Sequence, residues 1–377
     1  MGLIYRILVR PMLRFQDSEN AHIRSLKLLR IFSSNFLTRR ILSLAYYPRK
    51  SLPISVFGYD YKHPFGLAAG MDKKAESLRG WETIGLAFAE IGGVTMLEQA
   101  GNPKPRMFRC GSQKALVNRM GFNNPGSEKV SQSLSKYYEK YGAPECPIWV
   151  NIGKSKVTNN DEAHLDYSTT LERLWSYGDV FVINVSSPNT PNLRDLQNQD
   201  ELKKIIEACM SVNIQKSSES KMSPKHLLVK VAPDMRDEQL ESIVSTAIST
   251  GCSGIVATNT TVSRPDNISN SESKIMSQTG GMSGAPLNSL STDFISKIYK
   301  MTDGQLPIVG VGGIMNANDA WEKITAGATL LQAYSGFVFE GPALTKIVVN
   351  GLAKKLREHN LSSIEQAVGI KHHGGVN

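Results

Sequence analysis

The sequence predicts an α/β protein: a closed (β/α)8 barrel of parallel strands with a small helical extension at its N-terminus. Three observations predict it. Eight short apolar runs recur between residues 65 and 335, and several of them (VFVINV, LLVKVA, LLQAYS) are continuously apolar. Unbroken runs of that length are what strands buried on both faces of a parallel sheet look like. Amphipathic stretches such as Asp237–Thr250 and Ala317–Ala326 lie between them, so strand and helix alternate eight times. A doubly wound open sheet would alternate in the same way, but it opens on a glycine-rich turn, and no GxGxxG occurs in the chain.

The first 50 residues stand apart. They hold ten Lys/Arg against two acids, +8 of the chain's +9, while the remainder has 33 basic and 32 acidic side chains. A near-neutral bulk argues against a nucleic-acid-binding face. Leu3, Ile4, Ile7, Leu8, Met12 and Phe15 alternate with Arg6, Arg10 and Arg14, and at 100° per residue the two sets fall on opposite sides of a helix. Pro11 interrupts any long straight helix. The uncharged stretch between Arg30 and Arg39 is only eight residues long, far short of the ~20 that span a bilayer. Attachment to a membrane surface is the reading favoured here. An organelle-targeting peptide and a helical pair packed on its own domain with a solvated basic rim are the alternatives. The expected division is 1–50 for this segment and 51–377 for the barrel.

The barrel strands are assigned, in order, to Phe65–Gly70, Ala87–Val94, Ile148–Gly153, Val180–Val185, Leu227–Ala232, Gly254–Asn259, Ile308–Gly313 and Leu330–Ser335. The connections after the second and sixth runs are much longer than the others, and extra length there points to function. Ser211–Pro224 and Asp266–Ser277 are polar and serine-rich, and both read as solvated loops.

Barrel chemistry belongs at the C-terminal ends of the strands, and polar residues gather there. The first run leads to Ala68, Ala69, Gly70, Asp72 and Lys73; the third holds Asn151; the fourth runs into NVSSPNT (184–190); the sixth ends in TNTT (258–261). The seventh ends in Gly312-Gly313 and the eighth in Tyr334-Ser335, which together offer bare backbone amides of the kind that hold phosphate. Lys230 lies inside an apolar run. Its ammonium must point into the barrel mouth and needs an anionic or electron-rich partner. Carboxylate pairs, metal-spaced histidines and a Ser-His-Asp order are missing, so no metal is expected. The four cysteines, Cys110, Cys146, Cys209 and Cys252, include no CxxC pair, and they read as reduced and intracellular.

Ten ordered stretches make the sequence familiar: GLAAGMDK (66–73), EIGGVT (90–95), GNPKPRMFR (101–109), NRMGFNNPG (118–126), NVSSPNT, LVKVAPD (228–234), TNTT, TGGMSGAPL (279–287), VGVGGI (309–314) and ITAGATLLQAYS (324–335). They resemble the class 2, quinone-dependent dihydroorotate dehydrogenases, a TIM-barrel family with an N-terminal helical extension. Class 1 relatives place Cys where this chain has Ser187 and lack the extension, so both features select class 2. Gly93 departs from the pattern, many relatives having Ser there near the flavin.

The resemblance implies an oxidoreductase of pyrimidine biosynthesis that converts dihydroorotate to orotate with FMN and a membrane quinone. Ser187 would be the base, with a proton relay through Thr190 beside Phe122. Lys73, Asn118, Arg119, Met120, Gly121, Phe122, Asn184, Asn189, Asn259 and Thr260 match substrate-binding positions. Ala68, Ala69, Gly70, Thr95, Asn151, Asn184, Lys230, Thr258, Ser283, Gly284, Gly313, Tyr334 and Ser335 match the FMN site. Arg109 matches a position near the quinone passage. Residues 1–50 are then expected to serve the quinone and not the pyrimidine, holding the protein peripherally on an anionic lipid surface. That surface would be the cytoplasmic side of a cell membrane or, alternatively, the mitochondrial inner membrane. No obligate protein partner is expected. The competing enzyme reading, another FMN barrel reductase such as a tRNA-dihydrouridine synthase, would want basic charge at the barrel mouth.

Overall fold

A computed structural model of the chain describes residues 5–373, apart from Pro191 and Asn267 and the side chains of Leu8, Arg14 and Ser271. Expectations placed on Leu3, Ile4 and the Leu8 and Arg14 side chains therefore lie outside the described residues. Thirteen strands occur among the described residues. A hairpin, β1 (Ile54–Val56) and β2 (Tyr59–Tyr61), precedes β3 (Phe65–Asp72) and β4 (Ala89–Val94). Then follow β5 (Met107–Cys110), β6 (Ala115–Asn118), β7 (Ile148–Ile152) and β8 (Val180–Asn184). The last five are β9 (His226–Val231), β10 (Gly254–Ala257), β11 (Gly281–Gly284), β12 (Ile308–Val311) and β13 (Leu330–Ala333).

Eight of these, β3, β4, β7, β8, β9, β10, β12 and β13, close a barrel in chain order, every neighbouring pair parallel. All eight apolar runs are strands, and every residue of β7 and β8 is buried. Burial on both faces, with helices outside and side chains inside, is why those runs carry no polar alternation. The hairpin shuts the bottom: Tyr61 meets Phe88 edge-on at 5.5 Å, and Phe88 stacks on Trp149 at 4.3 Å. Such aromatic packing leaves no pore. Gly66 is required beneath it, because a Cβ there would lie 2.5 Å from the Phe88 ring.

The two long connections meet above the barrel mouth. β5 and β6, from the first, and β11, from the second, form a three-stranded antiparallel sheet in which Gly281 pairs with Asn118. Two serine-rich stretches are corrected. Ser211–Pro224 is no loop over most of its length, because the helix Gln199–Ser220 runs through it. Leu202, Ile205, Ile206, Cys209 and Asn213 share its buried face, and Asn213 accepts from Trp175 Nε1 at 2.8 Å. Periodic burial outweighs weak serine propensity. Within Asp266–Ser277 a short helix, Asn270–Met276, buries Met276 against Cys110 and Met282.

At the N-terminus, helices Ser18–Ser34 and Phe36–Tyr46 are capped by Asp17 and Asn35, whose side-chain oxygens accept backbone N–H groups of the first turn. Before them the short segment from Tyr5 to Arg14 is turned inside out relative to an ordinary surface helix. Arg6 pairs with buried Glu340 at 2.5 Å and Arg10 donates to Phe339 O, while Ile7, Met12 and Phe15 face solvent, Phe15 at 90% exposure. Among the described residues no helix is long and apolar enough to cross a membrane.

Candidate active site

A chain of carboxamides runs up the barrel interior from one carboxylate. Glu90 on β4 is wholly buried. It accepts from Asn151 Nδ2 at 2.6 Å and from Gln332 Nε2 at 2.5 Å, and Lys230 Nζ stands 4.0 Å from its Oε1. Because a carboxylate only accepts, it dictates every amide above it. Asn151 turns its NH2 down and its oxygen up to accept from Asn184 Nδ2 (2.9 Å), and Asn184 Oδ1 accepts from Asn259 Nδ2 (3.2 Å). Glu90 is thus the anion that Lys230 required. The sequence did not single it out, since a lone acid in an apolar strand looks like any outward-facing residue.

At the mouth, Ser187 Oγ accepts from the Asn189 backbone N–H at 3.3 Å, which leaves its own proton unassigned. Thr190 Oγ1 and Asn189 Oδ1 are buried with no partner, a state that buried polar atoms avoid unless a ligand completes them. Asn189 Nδ2 donates to Asn118 Oδ1 at 3.1 Å. Lys73 leaves the end of β3, where Asp72 is fastened by the N–H groups of Glu76 and Ser77, and donates to Asn123 Oδ1 at 2.6 Å. Burial, with Arg106 nearby, pushes the Lys73 ammonium down to about 7. Asn123 was not foreseen from sequence. Gly93 has a steric explanation: a Cβ there would lie 2.6 Å from the Phe122 ring and 3.1 Å from Asn151 Oδ1. Phe122 itself holds a left-handed φ of 49°.

The other end of the cavity is a bare cradle. Gly312 and Gly313 have φ of 133° and 74°, and a Cβ on Gly313 would lie 2.6 Å from Asn288 Cα. Ser283 and Ser335 share a hydrogen bond of 2.8 Å across from them. One cavity is lined by Ala68, Ala69, Gly70, Lys73, Asn118, Met120, Gly121, Phe122, Asn151, Asn184, Ser187 and Asn189. Lys230, Thr258, Asn259, Thr260, Ser283, Gly284, Gly313, Tyr334 and Ser335 line it as well. Three expected residues lie off it. Arg119 sends its guanidinium away to Gln278 and the Pro105 carbonyl; Thr95 is engaged with Asn124 and the Leu97 carbonyl; Thr190, three residues past Ser187, is buried without lining the cavity. An anchored lysine at one end, glycine amides at the other and orphaned acceptors between, including Gln332 Oε1, fit a flavin and its phosphate.

A second cavity, of about 310 Å³, lies between the N-terminal helices and the barrel. Leu26, Leu29, Phe32, Trp81 and Phe337 make it apolar, and Tyr334, Met107 and Leu116 line both cavities. Its polar groups are few. His22 faces Tyr334 at 6.3 Å and is pushed down to about 4 by burial, so its ring is neutral near pH 7. Arg109 donates to Leu13 O at 3.0 Å and keeps a buried Nε without a partner. His22 gave no signal in the sequence, standing as one histidine in an amphipathic helix.

The family model for dihydroorotate dehydrogenase matches residues 51–356. The chain belongs to the dihydroorotate dehydrogenase family. Its relatives include the dihydroorotate dehydrogenase (quinone) of Gloeobacter violaceus, 42% identical with 97% of this chain and 98% of the relative covered. The enzyme of the same name from Streptomyces griseus is 39% identical, with 98% of each covered. Among solved structures, that of the Eimeria tenella dihydroorotate dehydrogenase in complex with ferulenol superposes with a TM-score of 0.83 at 35% identity, covering 95% of this chain and 96% of that one. Membership makes the protein an oxidoreductase on a TIM barrel, in a family that is flavin-dependent. It leaves the tRNA-dihydrouridine synthase alternative without support.

Proposed function

We propose that the protein oxidises (S)-dihydroorotate to orotate, a step toward UMP, with FMN in the barrel mouth and a membrane quinone as electron acceptor. The observation that carries this reading is the shared wall. A polar cavity holding Ser187 and Lys73 lies back to back with an apolar one, and Tyr334, Met107 and Leu116 belong to both. FMN, when bound, supplies the acceptor for the hydride that leaves C6 of the substrate. Ser187 Oγ takes the C5 proton as it gives up its own hydroxyl proton to the relay. The hydrogen bond from Asn189 N orients that oxygen, and Thr190 Oγ1 relays the proton outward while Phe122 keeps bulk water off. Lys73 pairs with the substrate carboxylate, and Asn118, Asn184, Asn189, Asn259 and Thr260 supply the fixed donors and acceptors a planar imide ring needs. Lys230, 4.0 Å from Glu90, would hold the flavin and favour negative charge on it when it is reduced. Gly284, Gly313, Tyr334 and Ser335 cradle the rest. Arg119, off the cavity, ties the end of β6 to Gln278 and the Pro105 carbonyl.

Residues 1–50 form the quinone-access segment in this reading and 51–377 the catalytic barrel. Exposed Ile7, Met12, Phe15, Leu28, Phe36 and Leu44, with Arg24, Lys27, Arg30 and Arg40 among them, support peripheral attachment to an anionic lipid surface on the cytoplasmic side. The test is optical. Anaerobic dihydroorotate should bleach the purified yellow protein, and a quinone, but neither NAD nor fumarate, should restore its colour. A protein that dihydroorotate leaves yellow would overturn the reading.

A further inference from the structure

The N-terminal helices touch more than the apolar cavity. Glu19, in the first turn of Ser18–Ser34, is 6% exposed, and Arg106, ahead of β5, is 7% exposed. They meet fork to fork: Arg106 Nε donates to Glu19 Oε2 at 3.0 Å and Nη2 to Oε1 at 2.7 Å. Such a pair fixes direction as well as distance. The third nitrogen, Nη1, donates to the carbonyls of Ala100 (2.6 Å) and Asn102 (2.9 Å). One guanidinium therefore ties the turn 100–106 to the N-terminal helix. The turn has no slack, since a Cβ on Gly101 would lie 2.3 Å from Met120 O and 2.7 Å from Arg106 Nη1. What it places is Asn102, whose Nδ2 donates to Arg119 O at 3.0 Å and to Asn189 O at 3.1 Å. The first opens the segment Arg119–Phe122 that roofs the substrate cavity. The second is the residue whose N–H meets Ser187 Oγ.

We infer that Glu19 and Arg106 are positioning residues for the substrate half of the reaction, so that the N-terminal segment completes the dihydroorotate site as well as the quinone passage. A buried ion pair is no better for stability than a well-packed apolar pair. What only the two forks supply is the fixed aim of the turn that clamps both walls. The same pair sets the field at Lys73. Arg106 and Lys74 disfavour its ammonium and Glu19 favours it, while Lys104, 3.8 Å from Glu19, His22 and Tyr334 are the other titratable groups facing that carboxylate, His22 facing Lys73 as well. The inference rests on the barrel mouth being the dihydroorotate site.

The test uses the full-length holoenzyme with a small soluble acceptor, so that quinone access does not enter. In Glu19→Gln the KM for dihydroorotate should rise roughly tenfold, within the usual range of coupling between sites, with kcat little changed, and Glu19→Asp should recover part of it. The pH profile separates aim from mere loosening. The basic limb of kcat/KM should move to lower pH in Glu19→Gln, which removes the charge that favours the Lys73 ammonium. It should move to higher pH in Arg106→Gln, which removes one that opposes it. Should either variant fail to fold, the wild-type protein still decides: coupling is reciprocal, so saturating orotate should slow amide exchange in the first turns of Ser18–Ser34. An unchanged KM and limb in Glu19→Gln, or exchange indifferent to orotate, overturns the inference. Wild-type enzyme inert toward dihydroorotate would instead overturn the functional reading beneath it.

Discussion

The two cavities share a wall and almost nothing else. In the barrel mouth the carboxamides are oriented one by another, from Glu90 through Asn151 and Asn184 to Asn259, and Glu90, Asn151 and Asn184 sit on barrel strands. Beneath the N-terminal helices the lining is Leu, Phe and Trp with a neutral His22 and a half-used Arg109, on helices that also expose Ile23, Leu28, Ile31 and Phe32 to solvent. The difference teaches that one site is built to hold a small charged ring in a single pose, and the other to admit an apolar molecule in more than one. Directional groups give the first its selectivity; area gives the second its affinity.

The sharpest way to break that contrast is at Ser187. Ser187→Ala should keep FMN bound yet slow flavin reduction by about 10²–10⁴-fold, the usual worth of a general base, and leave reoxidation by quinone untouched. Stopped-flow reduction at the wild-type rate would remove Ser187 from the chemistry. Next in size is a pH effect confined to the polar side. Lys73 is pushed down to about 7, so its charge is present below that value and lost above it. The affinity for the orotate anion should fall about tenfold per pH unit once pH exceeds the free enzyme's value. A flat titration of orotate by flavin absorbance between pH 6 and 9 would dissociate Lys73 from the carboxylate.

On the apolar side, Leu28→Glu places a charge at the rim of the second cavity. Turnover with a long-tailed quinone should drop roughly tenfold, since a carboxylate resists desolvation. Bleaching by dihydroorotate should not change; equal losses in both halves would mean the cavities are not separable. The smallest effect is ionic. Binding to anionic vesicles should weaken by less than tenfold from 0.05 to 0.5 M salt, because exposed apolar side chains hold the protein when its charges are screened. Complete release by salt, followed by co-sedimentation, would assign attachment to the arginines alone.

How much of this was legible in the sequence follows from the range of the forces involved. The eight strands announced themselves because burial on both faces leaves an unbroken apolar run, and Ser187, Lys73 and Lys230 because a polar residue at such a run's end has few reasons to be there. Glu90 was not legible: its meaning lies in Asn151, Lys230 and Gln332, which reach it only when the barrel closes. The pairing of β6 with β11 was hidden too, since no local pattern tells Ala115–Asn118 that its partner is Gly281–Gly284. Nor could composition tell what Arg6 and Arg10 would meet: Arg6 pairs with Glu340 and Arg10 donates to a backbone carbonyl, partners more than 300 residues away in the chain. The helix Gln199–Ser220 was obscured because serines outnumber apolar residues in its last turns.

The small sheet over the mouth has a consequence in time. β5 and β6 form a hairpin early in the chain, but β11 is made only after four more barrel strands have been synthesised, and contacts this distant in sequence form slowly. Closure of the barrel wall waits longer still, because β13 pairs with β3 (Leu331 with Phe65) across a greater stretch of chain than β11 does with β6 (Gly281 with Asn118). On refolding from denaturant, helical circular dichroism should return in a phase that precedes recovery of tight flavin binding. The interval between them is the lifetime of a species whose helices are formed while its barrel seam and mouth sheet are still open, the one in which FMN has its widest way in.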